Sequence, residues 1–460
     1  MQILRITNTN SKKKKDTRLV SLEIWMLIFY QEQKLDEIIN NSIDFNKLEK
    51  RDKGFVYLIV NTSMRRHKQA TKLFNHFSNL GIKSRNRYLN SILTLASVQL
   101  VWLKVAPHAV LNSAVDHAKK YGGEKQGKLV NAILRNMLRN ESEWANLIPS
   151  DSFNLPEWLF NSWLKLYGKE NVDEISSLAM KTPTLDIVLS KKINAEEKEK
   201  LISDLNAEEI FPNVLRRQFD GPIEGLARYS DGVWWIQDIA SQIPCNLLIA
   251  KISKHFTNRE PNSLKILDLC SAPGGKAAQL LDNDLDVVCV EKSLIRSKKF
   301  NDNMKRLKFK PKIFIENAEN FKPDFNPDVI LIDAPCSASG TIRRNSDIFI
   351  KQSPKNLDDL LEIQDNILSN AAKILQPGGI IMYITCSLQK IEGERRIEKF
   401  LKKQPSFSIV PFYSDEYPMI SNCITEEGFL RILPHKLGFN SNKVEGGSDG
   451  FFISLVKMNG

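Results

Sequence analysis

Apolar positions in the first third of the chain recur every three or four residues. Between 84 and 103, Leu89, Leu93, Ala96, Leu100 and Leu103 fall on one face of a helix. Pro107 ends that pattern. A second helical run starts near Val110 and is broken by Gly122-Gly123. A third, over 127–138, brings Leu129, Ile133, Asn136 and Met137 close to one stripe. Residues 17–140 read as helical throughout, and β-branched alternation is scarce. The spacing therefore predicts a compact all-helical domain over residues 1–145.

Residues 146–230 are mixed. Trp144, Trp158 and Trp163 punctuate a helical stretch. A strand is expected at 185–189, a charged helix at 195–205, and turns at Gly221 and Gly225. These elements predict a small α/β connector. From 231 to 460 short apolar runs alternate with helical patterns. The runs fall at 265–269, 286–290, 312–315, 328–332 and 380–384. A helix with Leu357, Leu361, Leu368, Ala371 and Leu375 on one side lies between the last two. Strands alternating with helices imply right-handed crossovers and a mostly parallel sheet covered on both faces, a Rossmann-like α/β domain. No internal repeat is present.

The net charge of +11 is uneven. The first 150 residues carry 25 Lys and Arg against 12 Asp and Glu, and the rest carry 40 against 42. A local basic excess favours polyanions through counterion release, although a lysine-rich solvated face has the same composition. The lysine run at 12–15 reads as a disordered arm. It precedes no apolar stretch of the signal-peptide kind, and no segment approaches the roughly 18 apolar residues of a membrane span. The six cysteines include no CxxC pair and no Cys/His cluster, which predicts free thiols, no metal site and a reducing, cytoplasmic setting.

The sharpest segment is Ile266-Leu-Asp-Leu-Cys-Ser-Ala-Pro-Gly-Gly-Lys276. A short strand enters a Gly-rich turn and a helix follows. In doubly wound sheets ligands bind beyond the carboxyl ends of the strands. Glycines let the backbone approach a ligand, and a helix N-terminus offers free N–H groups. The next strand ends in Glu291, an acid placed to accept from both ribose hydroxyls. The third ends near Asn317, whose amide suits an adenine edge, and the fourth runs into Asp333. GxGxxG is absent. The ordered series predicts a nucleoside-type site.

Two cysteines follow strands expected to be neighbours. Cys336 stands in Asp333-Ala-Pro-Cys-Ser-Ala-Ser-Gly340 and Cys386 in Ile384-Thr-Cys-Ser387. Either alone reads as a small buried hydrophobe. Together, flanking an acid beside a nucleoside site, they fit nucleophilic catalysis on a pyrimidine. A thiolate adding to carbon 6 makes the ring enamine-like, so that carbon 5 can attack an electrophilic methyl group. Negative charge then builds on the N3/O2 edge, where a protonated Asp333 or another hydrogen-bond donor would stabilise it. The base for the carbon-5 proton is not evident.

These residues, with Gln237-Asp238-Ile239-Ala240-Ser241, Arg343-Arg344, Asp347 and Asp449-Gly450-Phe451-Phe452, make residues 231–460 resemble the NOL1/NOP2/Sun family of RNA cytosine-5 methyltransferases. The resemblance implies a class I fold that binds S-adenosylmethionine. The contacts are Cys270, Ser271, Ala272, Pro273, Gly274, Gly275, Lys276, Glu291, Asn317 and Asp333. By the same resemblance Cys386 attacks carbon 6, and Cys336 assists release of the product. Arg343 and Arg344, directly after the second motif, are expected to contact RNA phosphate or base. The family often has Asp where Glu291 and Asn317 stand, and the expected strand at 185–189 lacks an Arg-Val-Asn-like pattern.

Gln99-Leu100, Pro107-His108-Ala109-Val110 and Val130-Asn131-Ala132-Ile133-Leu134-Arg135 resemble the NusB-like RNA-binding fold. His108 and His117, in that helical part, read as surface or packing residues. A NusB-like domain ahead of this catalytic domain implies ribosomal RNA of the small subunit as substrate, at cytosine 967 of 16S RNA, with no obligate protein partner. The motifs leave open the same reaction on transfer RNA. A non-catalytic NusB-like assembly factor is the reading outside enzymology.

Overall fold

The computed structural model describes residues 16–78, 86–219, 221–351, 355–417, 419–437 and 446–459. The lysine run at 12–15 and the first residues of the helix expected from 84 lie outside the described residues. The chain divides into two compact units. One holds the described part of 1–154 with 349–351, and the other holds the described part of the remainder.

The first unit is helical, with its longest helices at Thr17–Gln31, Lys50–His76, Arg87–Val101 and Pro107–Arg139. Asp16 caps the first helix by accepting from the Arg18 N–H, and it also pairs with His117 at 2.8 Å. Pro107 opens a helix, as its missing N–H permits at that position. The two runs expected on either side of Gly122-Gly123 are two helical segments that meet at a kink, where Gly123 has non-helical backbone angles (φ 76°, ψ −177°). Trp25, Phe74, Leu93, Val110 and Leu134 meet in its core. No described helix is long and apolar enough to cross a membrane.

The second unit begins with an antiparallel sheet of β1 (Thr184–Leu189), β2 (Glu208–Phe211), β3 (Val214–Gln218) and β4 (Trp234–Ile236), in the order β2-β3-β1-β4. The sequence reading found β1 alone. β3 hides behind Arg216 and Arg217, yet Arg216 is 0% exposed because Asp186 of β1 grips its guanidinium at 2.7 and 2.9 Å. β4 lies beyond the expected boundary at 230 and pairs with β1, so the connector and the Rossmann-like part fold as one unit.

The main sheet contains β5 (Ile266–Leu269), β6 (Val287–Val290), β7 (Lys312–Phe314), β8 (Val329–Asp333) and β9 (Ile380–Thr385), all parallel. β10 (Phe407–Ile409), β11 (Leu430–Ile432) and β12 (Phe451–Met458) complete it. The order is β10-β12-β9-β8-β5-β6-β7, with β12 antiparallel to β9 and β11 also paired to β12. β5, β8 and β9 are apolar along almost their whole length because both faces are covered. Ile266, Leu331 and Met382 enter one core, and Leu267, Ile332 and Tyr383 enter the other. The chain proceeds outward from β5 in one direction and then returns to β8 on the other side. Ligand sites form at this kind of switch point.

Close backbone approach fixes the loops above β8 and β9. Gly340 donates its N–H to the Cys386 carbonyl at 3.0 Å and accepts from Gly450 N at 2.8 Å. A Cβ on Gly340 would stand 2.1 Å from the Gly450 carbonyl oxygen. Gly340→Ala should therefore cost at least about 1–3 kcal/mol of stability, read as a lower urea midpoint at unchanged slope.

Candidate active site

The carboxyl ends of the five parallel strands bring the expected residues to one cleft, lined by Cys270, Glu291, Asn317, Asp333, Cys336 and Cys386 among others. The loop after β5 turns sharply at Cys270 (φ 71°) and Gly274 (φ 105°), and the helix that follows, Gly275–Leu281, is only seven residues long. A Cβ on Gly274 would press on Met304 at 2.7 Å.

The polar atoms here are incompletely used. Glu291 is 2% exposed; its Oε1 accepts from Ser293 N at 2.9 Å, while its Oε2 has no hydrogen bond and lies 3.2 Å from the Arg296 guanidinium. Both carboxyl oxygens of Asp268 are buried without a hydrogen bond, and burial, with Asp333 nearby, pushes its pKa up to about 8. A buried carboxylate with one oxygen lacking a hydrogen bond directly after β6, beside apolar walls from Val290, Pro335, Ile363 and Ile367, fits a nucleoside with a free diol. Asn317 is exposed and its amide is bonded at both ends to Glu319, at 3.1 and 3.2 Å.

The two thiols meet. Cys336 Sγ and Cys386 Sγ are 3.4 Å apart and both are half-buried. The hydrogen bond to Cys386 is the main influence raising the Cys336 thiol well above its ordinary range, with burial next. The remaining cysteines, Cys245, Cys270, Cys289 and Cys423, are pushed up by burial, and no metal-binding cluster occurs among the described residues.

Lys276 departs from expectation. Its ammonium turns into the cleft and donates to Asp333 Oδ2 at 2.6 Å, with Ser241 Oγ at 3.4 Å. Burial opposes its charge, but Asp333 outweighs burial and raises its pKa. Asp333 Oδ2 thus accepts from Lys276, which stands as a second donor beside it.

The arginines also separate. Arg343 is 3% exposed; it donates to Asp238 Oδ2 at 2.7 Å and to Thr184 Oγ1 at 3.3 Å. Its guanidinium braces the fold and does not face RNA, which corrects the expectation for this residue. Burial opposes ionisation of Asp238, yet Arg343 and then Arg344 hold its pKa below the usual range. Arg344 bonds Asp449 through Nε at 2.8 Å and keeps 42% of its side chain exposed to solvent. Sequence reasoning missed Asp186, Arg216 and Glu392. Asp238 and Asp449 were visible only as members of motifs.

The strand order and this cleft define a class I S-adenosylmethionine-dependent methyltransferase domain. Residues 256–457 match the family model "16S rRNA methyltransferase RsmB/F", and residues 15–139 match the NusB family. The two matched stretches are thus similar to a NusB-family domain and to an RsmB/F methyltransferase domain, in that order along the chain. A protein of Synechocystis sp. described as "Probable ribosomal RNA small subunit methyltransferase B" is 28% identical over 443 residues, 92% of this chain and 95% of that protein. A Bacillus subtilis protein of the same description is 26% identical over 97% of this chain and all of its own length. The solved structure of PH0851 shares the fold at a TM-score of 0.71 and 21% identity, over 97% of this chain and 99% of that one. NSun6 from Pyrococcus horikoshii, solved "with SFG", does so at 0.53 and 20% identity, over 66% of this chain and 98% of its own.

If Arg343 braces the fold, Arg343→Ala leaves two buried carboxylates short of a cation. The loss should reach about 3–5 kcal/mol in denaturant unfolding, with Arg344→Ala costing clearly less.

Proposed function

We propose that this protein methylates carbon 5 of a cytosine in small-subunit ribosomal RNA, with Cys386 as nucleophile. The observation that carries the proposal is the thiol pair, 3.4 Å apart, at the mouth of a nucleoside-fitting cleft. Adenine or guanine methylation at an exocyclic nitrogen needs no thiol, whereas carbon 5 of cytosine must first be made nucleophilic. S-adenosylmethionine, when bound, supplies the electrophilic methyl group.

The chain's residues divide the work. Glu291 offers the ribose a carboxylate oxygen that makes no hydrogen bond and has only the Arg296 ion pair, and Asn317, also in the cleft wall, would meet the adenine edge. Cys386 adds to carbon 6. Lys276, oriented by Asp333, supplies positive charge for the N3/O2 edge as the ring gains electrons. Once the Cys386 sulfur is bonded to carbon, the main influence holding the proton on Cys336 is gone. Cys336, 3.4 Å from Cys386, would then lose its proton to solvent and as a thiolate take the carbon-5 proton, whose bonding electrons reform the ring double bond and expel the Cys386 sulfur. Arg344 is placed to meet RNA phosphate. The base must leave its stack to reach this cleft, which loops and single strands permit at low cost. Support for ribosomal RNA comes from the RsmB/F match, from the names of the relatives and from the NusB-family domain ahead. We take cytosine 967 of 16S RNA as the candidate target, as the family resemblance in the sequence implies.

Cys386→Ala should lower methyl transfer by a factor on the order of 10³ or more. Cys336→Ala should instead accumulate a covalent protein–RNA adduct, seen as a denaturation-resistant gel shift. Swapped phenotypes would reverse the two roles. Glu291→Ala should weaken cofactor binding by calorimetry about tenfold or more. Bisulfite sequencing of ribosomal and transfer RNA, with and without the gene, identifies the substrate. Loss of a methylcytosine in 16S RNA supports the proposal, and loss confined to transfer RNA overturns it.

A further inference from the structure

Beneath the thiols lies an acid that the proposed chemistry does not use. Glu392 is 0% exposed and sits in the turn after β9. Its Oε1 accepts from Ser337 N at 2.8 Å and from Gln364 Nε2 at 3.1 Å. Its Oε2 accepts from Ser337 Oγ at 2.5 Å and from Ser387 Oγ. Ser337 directly follows Cys336, and Ser387 directly follows Cys386. The two hydroxyls are also within 3.1 Å of each other, and Ser339 Oγ joins them while accepting from Leu388 N at 3.0 Å. Gln364 adds a second hold on the first loop through the Pro335 carbonyl at 2.9 Å. One carboxylate therefore collects donors from both cysteine loops.

Charge around the thiols is also lopsided. Cys336 is within electrostatic reach of Glu392 and of the Tyr383 hydroxyl. Cys386 is within electrostatic reach of Lys276 and Arg344, whose main partners are Asp333 and Asp449. A negative group on one side and positive groups on the other separate two chemically identical thiols.

We propose that Glu392 is a positioning residue for the thiol pair: it clamps the two cysteine loops through Ser337 and Ser387 and sets its carboxylate on the Cys336 side, so that the two thiols are made unlike and Cys386 is the attacking sulfur. A buried carboxylate with several hydroxyl and amide donors is a rigid node. Its loss lets the loops separate and removes the charge that distinguishes the sulfurs. The inference rests on the proposed use of Cys386 and Cys336, but its first readout needs no RNA.

The test is alkylation of the RNA-free protein by iodoacetamide across pH, followed at each cysteine peptide by mass spectrometry. In the wild type Cys386 should react at lower pH than Cys336. In Glu392→Gln, which keeps the shape and removes the charge, Cys336 should begin to react at a pH lower by about one unit or more. Glu392→Asp should restore part of the gap. Single-turnover methyl transfer should fall by a factor on the order of 10 to 100 in Glu392→Gln, with cofactor affinity unchanged. A folded Glu392→Gln with the wild-type gap overturns the proposal. Should that variant not fold, Ser337→Ala carries the test, because it removes one arm of the clamp and keeps the carboxylate. Slower transfer at unchanged cofactor affinity then supports the clamp, and the wild-type rate overturns it. An altered gap in a protein that methylates no cytosine would defeat the proposed function and leave this inference standing.

Discussion

Asp333 lies beside Ile384 in the parallel register of β8 and β9, and this alignment sets where both sulfurs go. Cys336 follows three residues after the first, and Cys386 two residues after the second. A slip of one residue would turn every side chain of a strand to the opposite face, sending apolar residues such as Ile332 and Tyr383 out of their core. Register is therefore enforced by burial on both faces of the sheet. β12 locks it from the other side, with Phe452 opposite Thr385. The Gly340–Gly450 contact then seals the two loops at a distance that no side chain tolerates.

Above that frame the charges are arranged in pairs. Lys276 meets Asp333, Arg343 meets Asp238, and Arg344 meets Asp449. Isolated buried charges are expensive, and paired ones hold their geometry. The pairs serve two ends. Arg343 and Asp238 fasten the first turn of the helix at Ile239–His255 to the loop after β8. Lys276 and Arg344 keep positive charge within electrostatic reach of Cys386, where the proposed reaction would build a thiolate and then an electron-rich ring.

Much of this was legible in the sequence, for physical reasons. Strands buried on both faces read as unbroken apolar runs, so β5 to β9 emerged within a residue or two. The cleft residues follow those strands directly, so Cys270, Glu291, Asn317, Asp333, Cys336 and Cys386 were found with them. What escaped was burial achieved by pairing. Arg216 looks like a surface residue until Asp186 is seen across the sheet from it. Glu392 sits in Lys-Ile-Glu-Gly-Glu-Arg, a string that reads as solvated helix, because its donors come from residues up to 55 positions away. Arg343 failed in the opposite sense: it adjoins a catalytic motif but is consumed by the fold. β12 was noticed as the motif at 449–452 and not as a strand, since it enters the sheet antiparallel to an otherwise parallel pattern.

The central claim is that the sulfur of residue 386 becomes bonded to a cytosine ring. RNA carrying 5-fluorocytidine tests it directly, because fluorine at carbon 5 blocks the proton loss that would release the enzyme. Wild-type protein, incubated with such RNA and S-adenosylmethionine, should yield a stable conjugate whose nucleotide mass maps to the peptide containing Cys386. A conjugate on the peptide containing Cys336, or none at all, would contradict the account.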